Sequence, residues 1–159
     1  MKATLACIVV GCLVGAACSR NQEGAQLSPE TAAQLLENRN WMDRWPSDPD
    51  ERLHVYRFTP SMGGGVYQDR TLFKGQFELF VYKHETSKLT IRWPDRKKSE
   101  VFEYQIEAVD GPGPFDLKLT LPGAALGPQS LYGIRAETPA HSVEQLIESA
   151  VAGREPAHK

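Results

Sequence analysis

Beyond residue 18 the chain contains no cysteine; its three lie at Cys7, Cys12 and Cys18. The body of the protein therefore forms no internal disulfide and no thiolate metal site. Histidine is scarce too, limited to His54, His84, His141 and His158, and no two have the spacing of a metal site. Long apolar runs are missing except at the N-terminus, and the mean hydropathy is −0.40, which excludes a protein that crosses a membrane many times. Neither charge sign dominates: 18 basic side chains face 20 acidic ones, a formal net charge of −2. That balance argues against a nucleic-acid partner held by bulk charge. What is present is enough apolar material, 41% of 159 residues, for the core of one domain.

Residues 1–17 hold one charged side chain, Lys2, ahead of an uncharged stretch that reaches Cys18. A basic start and a short apolar run make an export signal, too short to span a membrane. Val14-Gly15-Ala16-Ala17-Cys18 brings small residues directly up to a cysteine and resembles a bacterial lipoprotein lipobox. The resemblance implies cleavage before Cys18 and lipidation of its thiol and amine; Gly15 stands where the family usually has leucine. Val9-Val10-Gly11-Cys12 fits that spacing better but leaves too little chain ahead of it for a complete signal. An ordinary cleaved signal with an incidental cysteine is the other reading. Ser19, rather than Asp, follows the cysteine, and by analogy with lipoprotein sorting in two-membrane bacteria this points to the outer membrane. Residues 18–27 are polar and aperiodic and read as a tether, whose last nine residues reach at most about 30 Å.

All fourteen aromatic residues lie between Trp41 and Tyr132. Ser28-Pro29-Glu30 supplies an N-cap, a proline at the first helical position and an acid in the first turn, so a short helix begins there. Near the other end, Val143, Leu146, Ile147, Ala150 and Val151 form one apolar helical stripe, with Ser142 and Gln145 as a capping box. Between the helices the period changes to two. Strands are expected near 53–59, 66–72, 76–84, 88–93, 99–109, 115–121 and 129–137, with a short one around Trp41. The strand at 76–84 is apolar on both faces, which predicts a helix on its outside. Short links and no intervening helix make an antiparallel meander, and about eight strands tend to close on themselves. The expected fold is mainly β: an up-and-down barrel over residues 28–153, with a frayed tail at 154–159.

This order of elements, with a tryptophan on the first strand, is similar to the lipocalin-like, or calycin-type, barrels. Their first motif is Gly-x-Trp, where this chain has Arg39-Asn40-Trp41. An arginine late in such a barrel packs over the tryptophan, and the resemblance assigns that role to Arg135. A guanidinium over an indole contributes about 0.5–2 kcal/mol.

Catalytic signatures are weak. Thr59-Pro60-Ser61-Met62-Gly63 lacks the first glycine of a nucleophile elbow. Gly63-Gly64-Gly65 has no following Gly-Lys-Ser/Thr and reads as a flexible hairpin tip. Asp48-Pro49-Asp50-Glu51 lacks the ligand spacing of a calcium loop and reads as a solvated turn. Arg92, Arg96, Lys97 and Lys98 gather around Trp93 in a basic turn. The expected protein is a monomeric, non-catalytic envelope lipoprotein without cofactor, metal or nucleic acid, bound to membrane through Cys18. Two binding modes stay open. In one, the barrel holds a small apolar ligand against Phe77, Leu79, Trp93, Phe102 and Tyr104; in the other, a filled barrel offers its outer face to a partner.

The anchor is tested directly. Replacing Cys18→Ser is expected to move the protein from the membrane to the soluble periplasmic fraction; equal solubility of wild type and variant would refute lipidation at Cys18.

Overall fold

A computed structural model of the chain describes residues 24–137 and 142–152. Cys18 and the tail lie outside the described residues. The first helix, α1 (Pro29–Leu36), starts where expected: the Ser28 hydroxyl accepts the Thr31 N–H at 3.3 Å. It ends at Leu36, and Asn38 turns the chain with φ 59°. The second helix, α2 (Val143–Ala152), opens on the capping box, with Ser142 N donating to Gln145 Oε1 and Gln145 N donating to Ser142 Oγ.

Ten antiparallel strands make one curled sheet. In chain order they are β1 (Ala25–Gln26), β2 (Asn40–Met42), β3 (Leu53–Thr59), β4 (Gly64–Arg70), β5 (Gly75–Glu85), β6 (Lys88–Trp93), β7 (Lys98–Glu103), β8 (Gln105–Ala108), β9 (Leu117–Thr120) and β10 (Ser130–Gly133). Their spatial order is β1-β8-β9-β10-β2-β3-β4-β5-β6-β7. β2 and β10, the first and last strands of the meander, do lie side by side, with Tyr132 opposite Met42. At the other side, β7 pairs with β6 and β8 with β9, and only Tyr104 separates β7 from β8. The half-barrel is thus joined through one strand that bends at Tyr104 and changes partner. With that strand counted once and the two-residue β1 set aside, eight strands form the wall.

The pleat gives the wall two distinct faces. The inner face packs Trp41, Tyr56, Phe58, Tyr67, Phe80, Leu89, Ile91, Trp93, Ile106, Leu117, Leu119 and Leu131 into one cluster, with Ala32 and Leu36 of α1 closing one end. The outer face of β2 and β3 carries Met42, Leu53 and Val55, which with Phe115 take the Val143 and Ile147 side of α2. The helix expected outside the strand at 76–84 therefore lies two strands away, over β3 and β2. Among the described residues, nothing packs on the outer face of β5.

Four further expectations are corrected. Residues 25–26, read as tether, form β1 on the edge of β8, and Leu27 N donates to Ile106 O at 3.0 Å. The aperiodic polar sequence there is typical of a short edge strand, held by backbone bonds rather than by a buried face. The expected strand 129–137 stops at Gly133, because the Arg39 guanidinium captures the carbonyls of Ile134 (2.9 Å) and Arg135 (3.4 Å). The triple glycine is not a flexible tip. Only Gly63, at φ 70°, closes the Pro60–Met62 turn, whereas Gly64 and Gly65 are buried in β4, where a Cβ on Gly65 would strike the Phe80 ring. Finally, Phe77 and Leu79 point outward: they are 73% and 52% exposed, while Phe80 on the same strand is 2% exposed.

That parity predicts opposite outcomes along one strand. Phe80→Ala is expected to cost about 3–5 kcal/mol of stability, as for other buried aromatics. Phe77→Ala should stay within about 0.5 kcal/mol of wild type. Urea unfolding of the two variants with unchanged m-values checks this; similar losses would mean β5 is turned the other way.

Candidate functional site

The five residues expected to line a ligand cavity separate into three groups. Trp93 and Tyr104 are buried in the core, Phe102 is half-buried against it, and Phe77 and Leu79 are outside the wall. The inward-pointing rings occupy the middle of the half-barrel. Phe80 meets Trp93 edge-on at 5.1 Å between ring centroids and Phe58 at 5.3 Å, and Tyr56 lies 5.0 Å from Tyr67. Such contacts add about 0.5–1.5 kcal/mol each beyond area burial and hold the rings in place.

Both ends of this core are tied down by polar groups at its rim. At the α1 end, the Trp41 indole donates to Leu36 O at 2.9 Å, and the Glu37 carboxylate accepts from Tyr82 OH at 2.8 Å and lies 3.2 Å from His84 Nε2. Tyr104 OH donates to Thr86 O at 3.1 Å. At the opposite end, the Trp93 indole donates to Glu100 at 3.0 Å, Lys98 pairs with the same carboxylate at 2.8 Å, and Ala125 N donates to it at 3.3 Å. Burial pushes the Glu100 pKa up, but these donors outweigh it and hold the group below its ordinary range. Tyr56 OH donates to Leu126 O at 2.8 Å, so the 121–129 loop folds over that mouth. His54 Nδ1 and Tyr67 OH share a 2.7 Å hydrogen bond there, and desolvation pushes the Tyr67 hydroxyl up to about 12. His54 and His84 therefore serve opposite ends of the barrel. Among the described residues, no three His, Cys, Asp or Glu side chains gather as a metal site.

The basic turn is largely spent on the same rim. Arg96 binds both oxygens of Glu78 at 2.8 Å, and Lys98 belongs to Glu100. Arg92 points outward opposite Val81. The acidic turn is used up locally, with Asp48 accepting the Asp50 N–H and Glu51 accepting from both Ser47 donors. Those Ser47 bonds hold the Glu51 carboxyl below its ordinary value.

The expected Trp41–Arg135 pair is also replaced. Arg135 is exposed in the turn after β10, with its N–H on Asp116 Oδ1 at 2.7 Å. The guanidinium near the indole is that of Arg39, 5.9 Å from the ring centroid. Gly133 makes the close approach from β10, since a Cβ there would lie 3.0 Å from the Trp41 ring. The resemblance to lipocalin-type barrels assigns this cation to the far strand; Arg39 reaches the ring instead, because a side chain two residues away on extended backbone shares its face. The same corner buries Glu137. Its Oε1 accepts from Asn40 N at 3.0 Å and from Asn40 Nδ2 at 2.5 Å, and Arg57 stands 4.0 Å away. Desolvation raises the Glu137 pKa above its ordinary 4.5 and lowers that of Arg39, so both are short of full compensation. The sequence does not single out this cluster: it reads Glu137 as the end of an expected strand at 129–137, with nothing to mark the carboxyl as buried.

Among the clefts outside the wall, two are the most extensive described. One, of about 680 Å³, is polar and lies between Gln26, Glu107, Lys118 and Tyr132. The other, of about 460 Å³, runs along the bare face of β4 and β5 beside the first turn of α2. Met62 and Phe73 stand at its ends, 74% and 68% exposed, and Val66, Phe77 and Leu79 form its floor.

The Glu137 cluster yields a pH prediction. A carboxyl whose folded pKa is raised contributes stability that is full below its unfolded pKa and is lost as pH rises through the folded value. Glu137→Gln keeps the acceptor for Asn40 and removes the titration. The variant should therefore lose less stability than wild type as pH rises above about 4.5 towards neutrality. Parallel stability–pH curves would show that Glu137 carries no such cost. No family model matches the chain, and neither curated proteins nor solved structures yield a match.

Proposed function

We propose that this protein is a non-catalytic binding module of the cell envelope, held to the outer membrane by lipid at Cys18, and that it works through the outer face of its barrel. The observation that carries this is the filled interior: sixteen buried residues, seven of them aromatic from Trp41 to Tyr104, form one continuous cluster between α1 and the 121–129 loop. A wall of eight strands encloses just enough space for side chains or for one small ligand, and here the large rings take that space. The apolar groups left over are outside. A small apolar ligand inside the barrel is the second reading; it is favoured by the likeness to lipocalin-type barrels and would have to displace Trp93 or Tyr104.

Titration with a fluorescent fatty acid separates the two. The expected result is no saturable one-to-one uptake of the probe into the barrel. Saturable uptake that persists in a Phe77→Ser, Leu79→Ser variant would place a ligand inside the barrel and overturn the outer-face reading.

A further inference from the structure

β5 spends large apolar residues on both of its faces, and only the inner set is needed for the core. On the outer side Phe77, Leu79 and Val81 follow one another at every second residue and are 73%, 52% and 38% exposed. Phe73 in the β4–β5 turn and Met62 in the β3–β4 turn extend the strip at its two ends, so that it runs the length of the hairpin. A run of five exposed large apolar side chains on one face is not ordinary surface, where such residues are scattered singly. It is also not a remnant of internal packing, because α2 covers β2 and β3 and stops short of it.

The charges around the strip select its partner. Lys74 lies in the turn beside Phe73, and Arg92 stands directly opposite Val81 on β6. Both are exposed and neither has an acidic partner among the described residues. The nearby acid, Glu144 at the start of α2, is neutralised by its ion pair with Arg70. Lys83, further along the same face, pairs with Glu85. The rim of the strip is therefore net positive around aromatic and aliphatic groups that protrude. Phenylalanine and methionine at protruding turns with flanking lysine and arginine suit an interface of acyl chains beneath anionic headgroups, where apolar burial and surface charge attract together.

We infer that the outer face of β4 and β5 docks onto an anionic lipid surface, with Phe73, Phe77 and Met62 entering the headgroup layer and Lys74 and Arg92 facing the lipid phosphates. The inference rests on the outer-face reading and names the partner for it. Together with lipid at Cys18, it gives the protein two independent contacts with the bilayer, the arrangement that makes peripheral attachment firm and fixes orientation.

The test uses the full chain reconstituted in vesicles of phosphatidylglycerol and phosphatidylcholine whose acyl chains are brominated. Phe73→Trp adds one reporter indole at the strip, and Gln105→Trp adds one at an exposed position on β8, away from it. The emission added by Phe73→Trp should be shifted to shorter wavelength and largely quenched by the brominated chains, and that added by Gln105→Trp should be neither. Adding Lys74→Glu and Arg92→Glu to the Phe73→Trp chain should restore most of the lost emission. Equal, unquenched emission from both reporters on vesicle-bound protein would overturn the lipid assignment. It would leave the outer-face reading intact, since a protein partner or a second copy would then be the occupant. Quenching that the charge reversals leave untouched would overturn the role given to Lys74 and Arg92.

Discussion

The packing of Tyr56, Phe58, Tyr67, Phe80 and Trp93 against one another decides the orientation of the wall. These rings come from four strands, β3 to β6, and each occupies the inner side of its pleat. Because side chains alternate, fixing one ring inward fixes every other residue of its strand, and a slip by one position would turn the whole set outward. Gly65 takes part in the same constraint. Opposite Phe80 in the register, it leaves the space that the ring fills. A Cβ at that point would push the ring off its seat, so the triple glycine is a packing feature of the core.

With the rings in place, the polar groups follow. Trp41, Trp93, Tyr56, Tyr82 and Tyr104 each carry one polar atom on a large apolar body, and each sends it to an acceptor at the rim. A buried N–H or O–H without a partner costs roughly 1–3 kcal/mol, so these bonds are what permit such large residues inside a small barrel. Glu37 and Glu100 are the two acceptors with charge. They sit at opposite ends and bind the helix α1 and the 121–129 loop to the wall. The bend at Tyr104 has the same logic. Its N–H goes back to Ser87 O while the next residue begins pairing with β9, so the chain changes partner without leaving a backbone donor exposed to the core.

Much of this was legible in the residues. Period two, short links and the two capped helices gave the class and the neighbouring of the first and last strands, because those signals are local. What escaped was decided between elements. β5 is apolar on both faces, so its own pattern cannot choose a side; the choice comes from Gly65 on one neighbour and from Arg96, which draws Glu78 to the rim. Arg39 and Arg135 are equally basic in the sequence, and only the register shows that Arg39 shares the Trp41 face while Asp116 and the turn carry Arg135 away. β1 has no periodicity because it needs none: two residues on an edge are held by backbone hydrogen bonds alone. Cys18 is the one candidate that rests wholly on the sequence.

The outer face shows that stability and the proposed role draw on different residues. Where α2 lies, Met42, Leu53 and Val55 are fully buried and removing them would cost stability. Two strands away, Phe77 and Leu79 are exposed although they are as apolar, and nothing among the described residues packs on them. An exposed apolar strip weakens solubility and invites association. Its position also matters: it lies on the part of the wall that α2 does not reach, bounded by the Arg70–Glu144 pair that marks the edge of the covered half. The bare strip is thus separable from folding, since a polar substitution there leaves the ring cluster untouched, and what the strip is for has to be sought in something outside the chain.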